Sequence, residues 1–529
     1  MPIQSHSSDV DDWLSTALLV TGSLAIAGIT AAAVAAAWVN HDAGWYLHMA
    51  GAWLDGAVPY VDVIDTNPPL ILFITALIVS LARALHLPLP ATFKFVVFAA
   101  AGMTALACAV LLKRIFRTRV AVLLVVTTLV FLLLTLAGAD FGQREHITTV
   151  IALPFVLAAA SATAERPLRA GPDLALGLLA GLGFAMKPHF LVAWAGTELA
   201  AWAVTAPSDR RWVRPATIGV AISLAAYVVI VTTVTPQYFT VAAEVARVYG
   251  GLNSNMSALL SLIDLRVWPV TLITLFMFPF RDRRWRAAFV AFGAATGFLF
   301  AALLQAKGWP YHLYPSRVFM GLCFALLAGG LLDAERPRTP VGVSMQRFMV
   351  AAMVAALGLT AWRYARQTSS PSGIEQVYAL HGIVVRERAE AMAVLSMRTI
   401  LFPAFPVVNY APVVWVMRHH SLWFLPGLYA AEIARKLGDV PYRNLAEMSA
   451  LERKYFEQVV TDLCRTPPRL LVIEPPLPAD RLGPRSLDLL GYYSQDARFA
   501  RLWSAYQRRD SFGPFVTYVR AANASCATQ

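Results

Sequence analysis

The chain has 529 residues, of which 58% are hydrophobic and 14% are charged, and its formal net charge is +12. This composition is too apolar and too sparsely charged for an ordinary soluble globular protein, so it predicts a helical protein that crosses a membrane several times. The basic residues are spread over short loops and form no single patch with interleaved aromatic residues. No nucleic-acid partner is therefore expected.

Long apolar stretches recur along the chain. A bilayer core about 30 Å thick needs roughly 20 apolar residues for each helix that crosses it. The first stretch follows an acidic opening, MPIQSHSSDVDDW, which has no basic segment and no small-residue cleavage site, so it predicts an uncleaved helix. About eleven spans are expected, near residues 15–38, 95–112, 120–137, 149–164, 174–188, 189–206, 215–234, 266–280, 287–305, 316–333 and 346–364.

The loop after the first span, residues 39–94, is unusual because it combines aspartates with aromatic, Gly and Pro residues. Its segment 70–86 is apolar enough to cross the membrane, but a crossing there would invert every later loop. Prolines bound the segment on both sides, and proline favours helix boundaries. The sequence therefore predicts that residues 68–90 form a helix lying in, or dipping into, the outer leaflet.

Loop charge orients the spans. Under the positive-inside rule, loops rich in Lys and Arg lie in the cytoplasm, so the N-terminus is expected there. The loops that alternate with them are expected on the outer face: GADFGQREH at 138–146, MKPH at 186–189, residues 235–266 and KGWPYHLYPSR at 307–317. The basic loops carry Lys113, Arg114, Arg117, Arg119, Arg166, Arg169, Arg210, Arg211, Arg214, Arg281, Arg283, Arg284, Arg286, Arg336, Arg338 and Arg347.

After about residue 365 the polarity is mixed and prolines are frequent. Residues 365–529 are therefore predicted to form a soluble α/β domain on the outer, periplasmic face, whereas residues 1–364 form the transmembrane domain. NLAEMSALERKYFEQVVTDLC predicts an amphipathic helix, and PPRLLVIEPP and FVTYV predict strands. Cys464 and Cys526 can pair in an oxidising compartment, and the cysteine spacing matches no metal motif.

The outer loops carry charges of both signs at the ends of spans. Charged side chains cost about 2.5–3.5 kcal/mol each at mid-bilayer, so those near the hydrocarbon tend to be functional or paired. Arg, Lys and His can hold an anionic group while an aspartate accepts a proton, which suits transfer from a phosphate-linked donor. The set comprises Asp42, Asp62, Asp65, Asp140, Arg144, Glu145, His146, Lys187, His189, Lys307, His312 and Arg317.

The first outer loop carries a specific pattern. Its elements are Asp42, Tyr46, Gly56, Pro59-Tyr60, Asp62 and Pro68-Pro69-Leu70, and the basic turn KRIFRTR and a second acidic loop follow it. This order resembles the C-type (GT-C) glycosyltransferase superfamily, and specifically the glycosyltransferase family 39-like enzymes, which include protein O-mannosyltransferases and lipid A aminoarabinose transferases. The resemblance implies a GT-C fold, with about eleven transmembrane helices and membrane-parallel helices in the first outer loop.

The resemblance also implies a bacterial inner-membrane enzyme. Such an enzyme moves a sugar from a polyprenyl-phosphate donor to an acceptor hydroxyl on the outer face, with inversion. Asp42 matches the loop aspartate proposed as general base, and Glu145 lies near the family's second-loop acid, with Asp140 as the other candidate. Further residues expected to contact substrate are Tyr46, Tyr60, Asp65, Asn67, His146, His189, Trp309 and Tyr311, although Trp and Tyr are also common at membrane interfaces.

Asn67 departs from the family pattern. Relatives often carry Lys, Glu or His immediately before the Pro-Pro pair, and a neutral amide cannot neutralise phosphate. The cations that bind the donor phosphate are therefore expected from later loops, with Arg144, Lys187, Lys307 and His312 as candidates.

The expected partners are membrane lipids, the lipid-linked donor and a glycan, lipid or protein acceptor. No resident cofactor is expected. The need for a divalent cation stays open. Asp42, Asp65 and Glu145 offer oxygen ligands, whereas this branch of the superfamily generally works without a metal.

Two other functions compete with glycosyl transfer. A transporter or flippase of a lipid-linked or charged solute would line an alternating-access path with ionisable groups. Such proteins often show two related halves, and no repeat is visible here. A glycan ligase or polymerase that uses a diphosphate-linked donor would need the same cations and the same base. The sequence leaves the sugar, the polyprenyl carrier, the acceptor and the oligomeric state open.

Overall fold

The structure is a computed structural model, and it describes residues 6–164, 168–205, 213–248, 256–263, 266–277, 282–334, 340–369, 373–434, 440–476, 487–521 and 526. Parts of the predicted span at 266–280 and of the outer loop at 235–266 lie outside the described residues. The same holds for six arginines of the basic loops, Arg166, Arg210, Arg211, Arg281, Arg336 and Arg338.

Helices dominate the first 369 residues. Within the described ranges, seven helices are long and apolar enough to cross a membrane, and the protein is a multi-pass membrane protein as predicted. Each of the predicted apolar stretches overlaps a helix. The helices are α1 (His6–Ala36), α2 (His41–Leu54), α3 (Leu70–Ala84), α4 (Leu89–Leu112), α5 (Arg119–Val130), α6 (Arg144–Ala164), α7 (Ala170–Ala185), α8 (Leu191–Val204), α9 (Pro215–Val234), α10 (Gln237–Val248), α11 (Met256–Ser261), α12 (Val267–Met277), α13 (Arg283–Gln305), α14 (Tyr314–Ala334) and α15 (Pro340–Ser369).

Shorter helices alternate with five strands in the remainder of the chain. The strands are β1 (Ala391–Leu395), β2 (Val414–Trp415), β3 (Leu470–Ile473), β4 (Tyr506–Phe512) and β5 (Phe515–Arg520). The helices are α16 (Ile374–Arg386), α17 (Ala404–Tyr410), α18 (Leu425–Leu428), α19 (Ala430–Ala434), α20 (Ala450–Arg465), α21 (Leu489–Ser494) and α22 (Ala497–Trp503). The two predicted strands and the predicted amphipathic helix are therefore confirmed as β3, β5 and α20.

By compactness the chain divides into two units. The first, called the helical unit below, contains residues Met1–Trp38, Phe93–Ile230 and Asn253–Pro371. The second, called the mixed unit, contains Val39–Thr92, Val231–Leu252 and Ser372–Gln529. The first outer loop thus belongs to the same compact unit as the C-terminal sheet.

In the helical unit, α13 packs against α6, α8 and α14. The approach of α8 to α13 is close because both helices present glycine at the contact. A Cβ atom on Gly196 would lie 2.7 Å from the carbonyl oxygen of Gly293, and one on Gly297 would lie 2.5 Å from the Cα of Ala193. Small residues let helix backbones approach in this way inside a membrane. The contact fixes α13, whose last residue, Gln305, belongs to the site described below.

The mixed unit is built on a five-stranded sheet of order β2-β1-β3-β5-β4. Strand β1 pairs in parallel with β2 and β3, whereas β3 and β4 each pair antiparallel with β5. All four residues of β3 are buried, which agrees with its continuous apolar sequence. A disulfide joins Cys464, in the last turn of α20, to Cys526 in the C-terminal tail.

Two helices of the first outer loop pack together in the mixed unit. Asn40 caps α2, since its Oδ1 accepts a hydrogen bond from the Asp42 N–H at 2.9 Å. The hydroxyl of Thr75 on α3 donates to the carbonyl of Tyr46 on α2 at 3.3 Å. Helix α3 has 15 residues and is about 22 Å long at 1.5 Å per residue, which is shorter than a bilayer core of about 30 Å.

Candidate functional site

The centre of the candidate site in the helical unit is a buried ion pair. Glu145 lies in the first turn of α6, and Lys187 lies in extended backbone just after α7. The Lys187 Nζ atom is 2.5 Å from Glu145 Oε1, and the two side chains are 7% and 1% exposed. Two charges are held out of water here, so each depends on the other for compensation.

Further polar groups converge on this pair from α13 and from the segment before α14. Lys187 Nζ also donates to Gln305 Oε1 at 3.2 Å. His312 Nε2 lies 3.8 Å from Glu145 Oε1, and the His312 side chain is 1% exposed. His312 stands in a short 3₁₀ helix, Pro310–Leu313, which continues directly into α14. Span ends therefore bring together residues that are far apart in sequence.

Lys307 and Arg144 extend the positive side of this cluster. Arg144 is buried next to Glu145 in the sequence and is 5% exposed. Burial, together with the charges of Lys187 and Arg144, lowers the pKa of Lys307 to about 8. Lys307 Nζ also lies 5.0 Å from the ring centroid of Trp309. We call Arg144, Glu145, Lys187, Lys307 and His312 the cation cluster, since it sets three basic side chains, those of Arg144, Lys187 and Lys307, against one carboxylate.

Some buried polar atoms of the cation cluster make no hydrogen bond to any described residue. They are Oε2 of Glu145 and Nδ1 of His312, and Nε2 of the neighbouring His189 is in the same state. A buried polar atom without a partner costs roughly 1–3 kcal/mol, so native structures contain few of them. Their presence together with excess positive charge is typical of a place that takes a polar, anionic ligand.

His146 differs from its neighbours because both of its ring nitrogens are engaged by the backbone. Its Nδ1 accepts a hydrogen bond from the Gly142 N–H at 2.9 Å, and its Nε2 lies 2.8 Å from the carbonyl of Leu133. These contacts fix the turn that leads into α6. They leave neither ring nitrogen of His146 for another ligand.

Asp140 and Tyr311 lie together on one side of the cluster. Asp140 ends the short 3₁₀ helix Gly138–Asp140, and both residues line a cavity of the helical unit. The Tyr311 ring centroid is 4.4 Å from that of His312 and 5.8 Å from that of Trp309. The two candidates for the second acid thus have different surroundings. Glu145 is buried in an ion pair with Lys187, and Asp140 lines a cavity.

The mixed unit holds Asp42 in the first turn of α2. Asp42 Oδ1 lies 3.0 Å from Nδ1 of His41, and the two side chains are 14% and 21% exposed. Helix α17 fixes the start of α2, because Asn409 Nδ2 donates to the Gly44 carbonyl at 3.0 Å and the Val39 N–H donates to the Tyr410 hydroxyl at 3.2 Å. Asp42 is therefore a partly exposed carboxylate on a well-held helix end.

Histidines other than His41 also surround this carboxylate. The His420 ring packs at 5.5 Å from that of Trp45, which lies one turn along α2. Burial, with a smaller contribution from His419, lowers the pKa of His420 to about 3, although the negative charge of Asp42 acts in the opposite direction. His420 is therefore neutral near pH 7 and lies within the electrostatic reach of Asp42.

Other predicted residues of the first loop contact one another. Asp65 is buried, and its Oδ1 accepts hydrogen bonds from the Thr66 N–H at 2.7 Å and from Asn67 Nδ2 at 2.9 Å. The Tyr60 hydroxyl donates to the Asn67 carbonyl at 2.7 Å. Tyr46 is buried on α2. Asn67 thus has its amide bound to Asp65.

Sequence reasoning missed two groups at these sites, Gln305 and His420. An apolar helix precedes Gln305, and nothing in its neighbourhood distinguishes it from an ordinary helix end. His420 belongs to the run RHHS, far along the chain from Asp42. In the described part of the chain, no group of three or more His, Cys, Asp or Glu side chains is placed to hold a metal ion.

These features define a polytopic helical membrane protein that carries a small α/β sheet in its C-terminal part. Its fold is the predicted GT-C fold. It is similar to the structure of ArnT from Cupriavidus metallidurans bound to undecaprenyl phosphate, with a TM-score of 0.59 over 97% of this chain and 99% of that chain, at 13% sequence identity. The sequence matches no protein-family profile and no curated protein.

Proposed function

We propose that the protein is an inverting glycosyltransferase that moves a sugar from a polyprenyl-phosphate donor to an acceptor hydroxyl. The observation that carries this proposal is the cation cluster, in which Arg144, Lys187 and Lys307 outnumber the carboxylate of Glu145 in a buried setting. Buried positive charge of this kind is stabilised by an anion with several acceptor oxygens. The similarity in fold to a protein bound to undecaprenyl phosphate supports a lipid phosphate as that anion.

The chemistry of the leaving group explains what the cations do in this proposal. In the donor, the phosphate is a diester that carries one negative charge. When the bond between the anomeric carbon and the phosphate oxygen breaks, the bonding pair stays on oxygen and the lipid phosphate leaves with a second negative charge. Cations placed where this charge develops bind the transition state more tightly than the donor. Arg144, Lys187 and Lys307 have this role, and His312 donates a hydrogen bond to the phosphate as a neutral imidazole.

Asp42 has the role of general base. It accepts the proton of the acceptor hydroxyl while that oxygen attacks the anomeric carbon from the face opposite to the phosphate, so the configuration inverts. His41 is a positioning residue in this proposal, because its contact with the Asp42 carboxylate limits the orientations of that carboxylate. The leaving phosphate needs no proton, so one base suffices.

The cysteines support the proposed location of the mixed unit. Disulfides persist in oxidising compartments and are rare in the cytosol of ordinary bacteria. The pairing of Cys464 with Cys526 therefore favours a mixed unit on the outer, periplasmic face of the inner membrane. This is the face on which the loop charges place Asp42 and the cation cluster.

The proposal is tested by donor turnover. Purified full-length protein in lipid nanodiscs is supplied with undecaprenyl phosphate-linked glucose, mannose, galactose and arabinose, together with a bacterial envelope lipid extract, and the release of undecaprenyl phosphate is measured. Asp42→Asn is expected to remain folded and to lose turnover. The matched control is Asp55→Asn in the same loop, which removes only an exposed ion pair with Arg83 and keeps turnover.

The same assay separates the competing functions. Turnover of the corresponding diphosphate-linked sugars, with none of the monophosphate donors consumed, would replace the proposal by a glycan ligase or polymerase. Movement of a labelled lipid-linked sugar across the bilayer without covalent change would replace it by a flippase. Equal turnover by Asp42→Asn and the wild type would remove Asp42 as the base.

A further inference from the structure

A cavity of about 260 Å³ lies in the helical unit, outside the groups to which a role has been given so far. Its wall is formed by the segment after α5, by the start of α14 and by the last turns of α15. The lining side chains that matter here are Asp140, Tyr311, Arg317, Tyr364 and Gln367. Pockets for drug-sized ligands usually measure about 300–1,000 Å³, so this cavity suits a smaller group.

The lining combines flat aromatic surface with hydrogen-bonding groups. Tyr311 and Tyr364 supply rings, while Asp140 supplies acceptor oxygens and Gln367 supplies both a donor and an acceptor. Tyr364 is half-buried, and Gln367 is exposed. Arg317 donates to the Leu262 carbonyl at 3.1 Å, so it is held at the rim. An alkyl chain in the cavity would offer no hydrogen-bonding group to the Asp140 carboxylate or the Gln367 amide.

Tyr311 connects this cavity to the cation cluster. Its side chain lines the cavity, its ring centroid is 4.4 Å from that of His312, and Lys187 Nζ lies 5.9 Å from the same ring. A group bound in the cavity is therefore one aromatic ring away from the proposed phosphate position. This distance is short enough for one ligand, or two reacting ligands, to occupy both places.

We propose that this cavity binds a single sugar ring, with Asp140 and Gln367 as hydrogen-bond partners of its hydroxyls and Tyr364 against its apolar face. The assignment rests on the proposed function and deepens it. It gives Asp140 a binding role, whereas Glu145 stabilises Lys187. A ring in the cavity is either the donor sugar or the sugar of a glycan or glycolipid acceptor, and these two share the same chemistry.

The test measures lipid binding and sugar binding separately. Full-length protein in nanodiscs is titrated with undecaprenyl phosphate and with undecaprenyl phosphate-linked glucose, mannose, galactose and arabinose, and each dissociation constant is recorded. The free monosaccharides are added in a second series to protein that is loaded with undecaprenyl phosphate. The variants are Asp140→Asn and Gln367→Leu, with Gln346→Leu as control, since Gln346 stands on α15 at the opposite end from the cavity.

If the cavity holds the donor sugar, at least one glycosylated lipid binds more tightly than undecaprenyl phosphate. Asp140→Asn and Gln367→Leu each reduce that gain by roughly 2- to 10-fold. If the cavity holds the acceptor sugar, a free monosaccharide binds to the lipid-loaded protein, and the same variants weaken this binding. The glycosylated lipids then bind no more tightly than undecaprenyl phosphate. Gln346→Leu behaves as wild type in either case.

Two results would overturn the inference without touching the proposed function. In one, undecaprenyl phosphate binds but no sugar, linked or free, adds affinity. In the other, a sugar adds affinity that neither cavity variant changes. Failure of undecaprenyl phosphate itself to bind the wild type would instead contradict the proposed function.

Discussion

Lys187 Nζ lies 2.5 Å from Glu145 Oε1, and this contact joins the end of α7 to the first turn of α6. Both side chains are almost fully buried, so each charge is compensated mainly by the other. The carboxylate keeps Lys187 in place with one oxygen, while its second oxygen has no hydrogen-bond partner among the described residues. Glu145 thus holds one member of the cation cluster and leaves the cluster positively charged as a whole.

The buried pair predicts strong coupling between its two members. Lys187→Met and Glu145→Gln should each lower the free energy of unfolding by about 3–5 kcal/mol, because each removes one partner of a buried ion pair. The double variant should lose much less stability than the sum of the losses in the two single variants. Unfolding from mixed micelles measures this double-mutant cycle. The control is the same cycle for an exposed ion pair, with Arg83→Met and Asp55→Asn, for which we expect a coupling energy of about 0–1 kcal/mol. Additive losses at Glu145 and Lys187 would contradict the account.

The pKa of Lys307 predicts how lipid binding depends on pH. Burial together with Lys187 and Arg144 lowers this pKa to about 8 in the free protein, and a bound phosphate raises it, because an anion favours the charged amine. The contribution of Lys307 to affinity is therefore fully present below pH 8. Above pH 8 this contribution is lost progressively, and the affinity for the lipid falls by up to about tenfold per pH unit until the pH reaches the pKa of Lys307 in the complex.

Titration of undecaprenyl phosphate between about pH 7.5 and 9.5 measures this dependence, since the second ionisation of phosphate, near 6, is then nearly complete. Lys307→Met is the control, and its affinity should be weaker overall and should show less decline above pH 8. An identical decline in wild type and Lys307→Met would assign the effect to another group.

The disulfide predicts both a stability and a labelling pattern. Cys464 and Cys526 are 62 residues apart in sequence, and a closed loop of that length lowers the entropy of the unfolded chain by an amount worth about 4 kcal/mol. Cys464→Ser with Cys526→Ser should destabilise the mixed unit accordingly.

In native protein from cells, a maleimide should label neither cysteine until a reductant is added, and Cys108 and Cys323 should stay unlabelled because they are buried. Labelling of Cys464 or Cys526 without reductant would contradict an oxidising location.

Much of the fold could be predicted from the sequence because membrane helices and buried strands depend on local composition. The apolar stretches, the strand LLVI of β3 and the amphipathic pattern of α20 are examples. The prolines that bound residues 70–86 indicated a helix of limited length, and α3 has 15 residues. These signals are contained in windows of about 10–20 residues.

The candidate site could be predicted only in part. Arg144, Lys187, Lys307 and His312 stood out because charge at the end of a span is costly, and the structure brings them together. Their arrangement depends on the packing of α6, α8, α13 and α14, which no local pattern encodes. For this reason Gln305 and His420 were missed. No local pattern indicated that Glu145, a candidate for the second acid, forms an ion pair with Lys187.

The most direct test of the central claim is the affinity for undecaprenyl phosphate of the full-length protein in nanodiscs, measured by native mass spectrometry. The wild type should bind the lipid, and Arg144→Gln and Lys307→Met should each bind it roughly 10- to 100-fold more weakly, the loss typical of a hydrogen bond to a charged group. Lys113→Met, which removes an exposed lysine from a basic loop, should bind as wild type. Equal affinity in all four proteins, or no binding by the wild type, would contradict a phosphate site at the cation cluster.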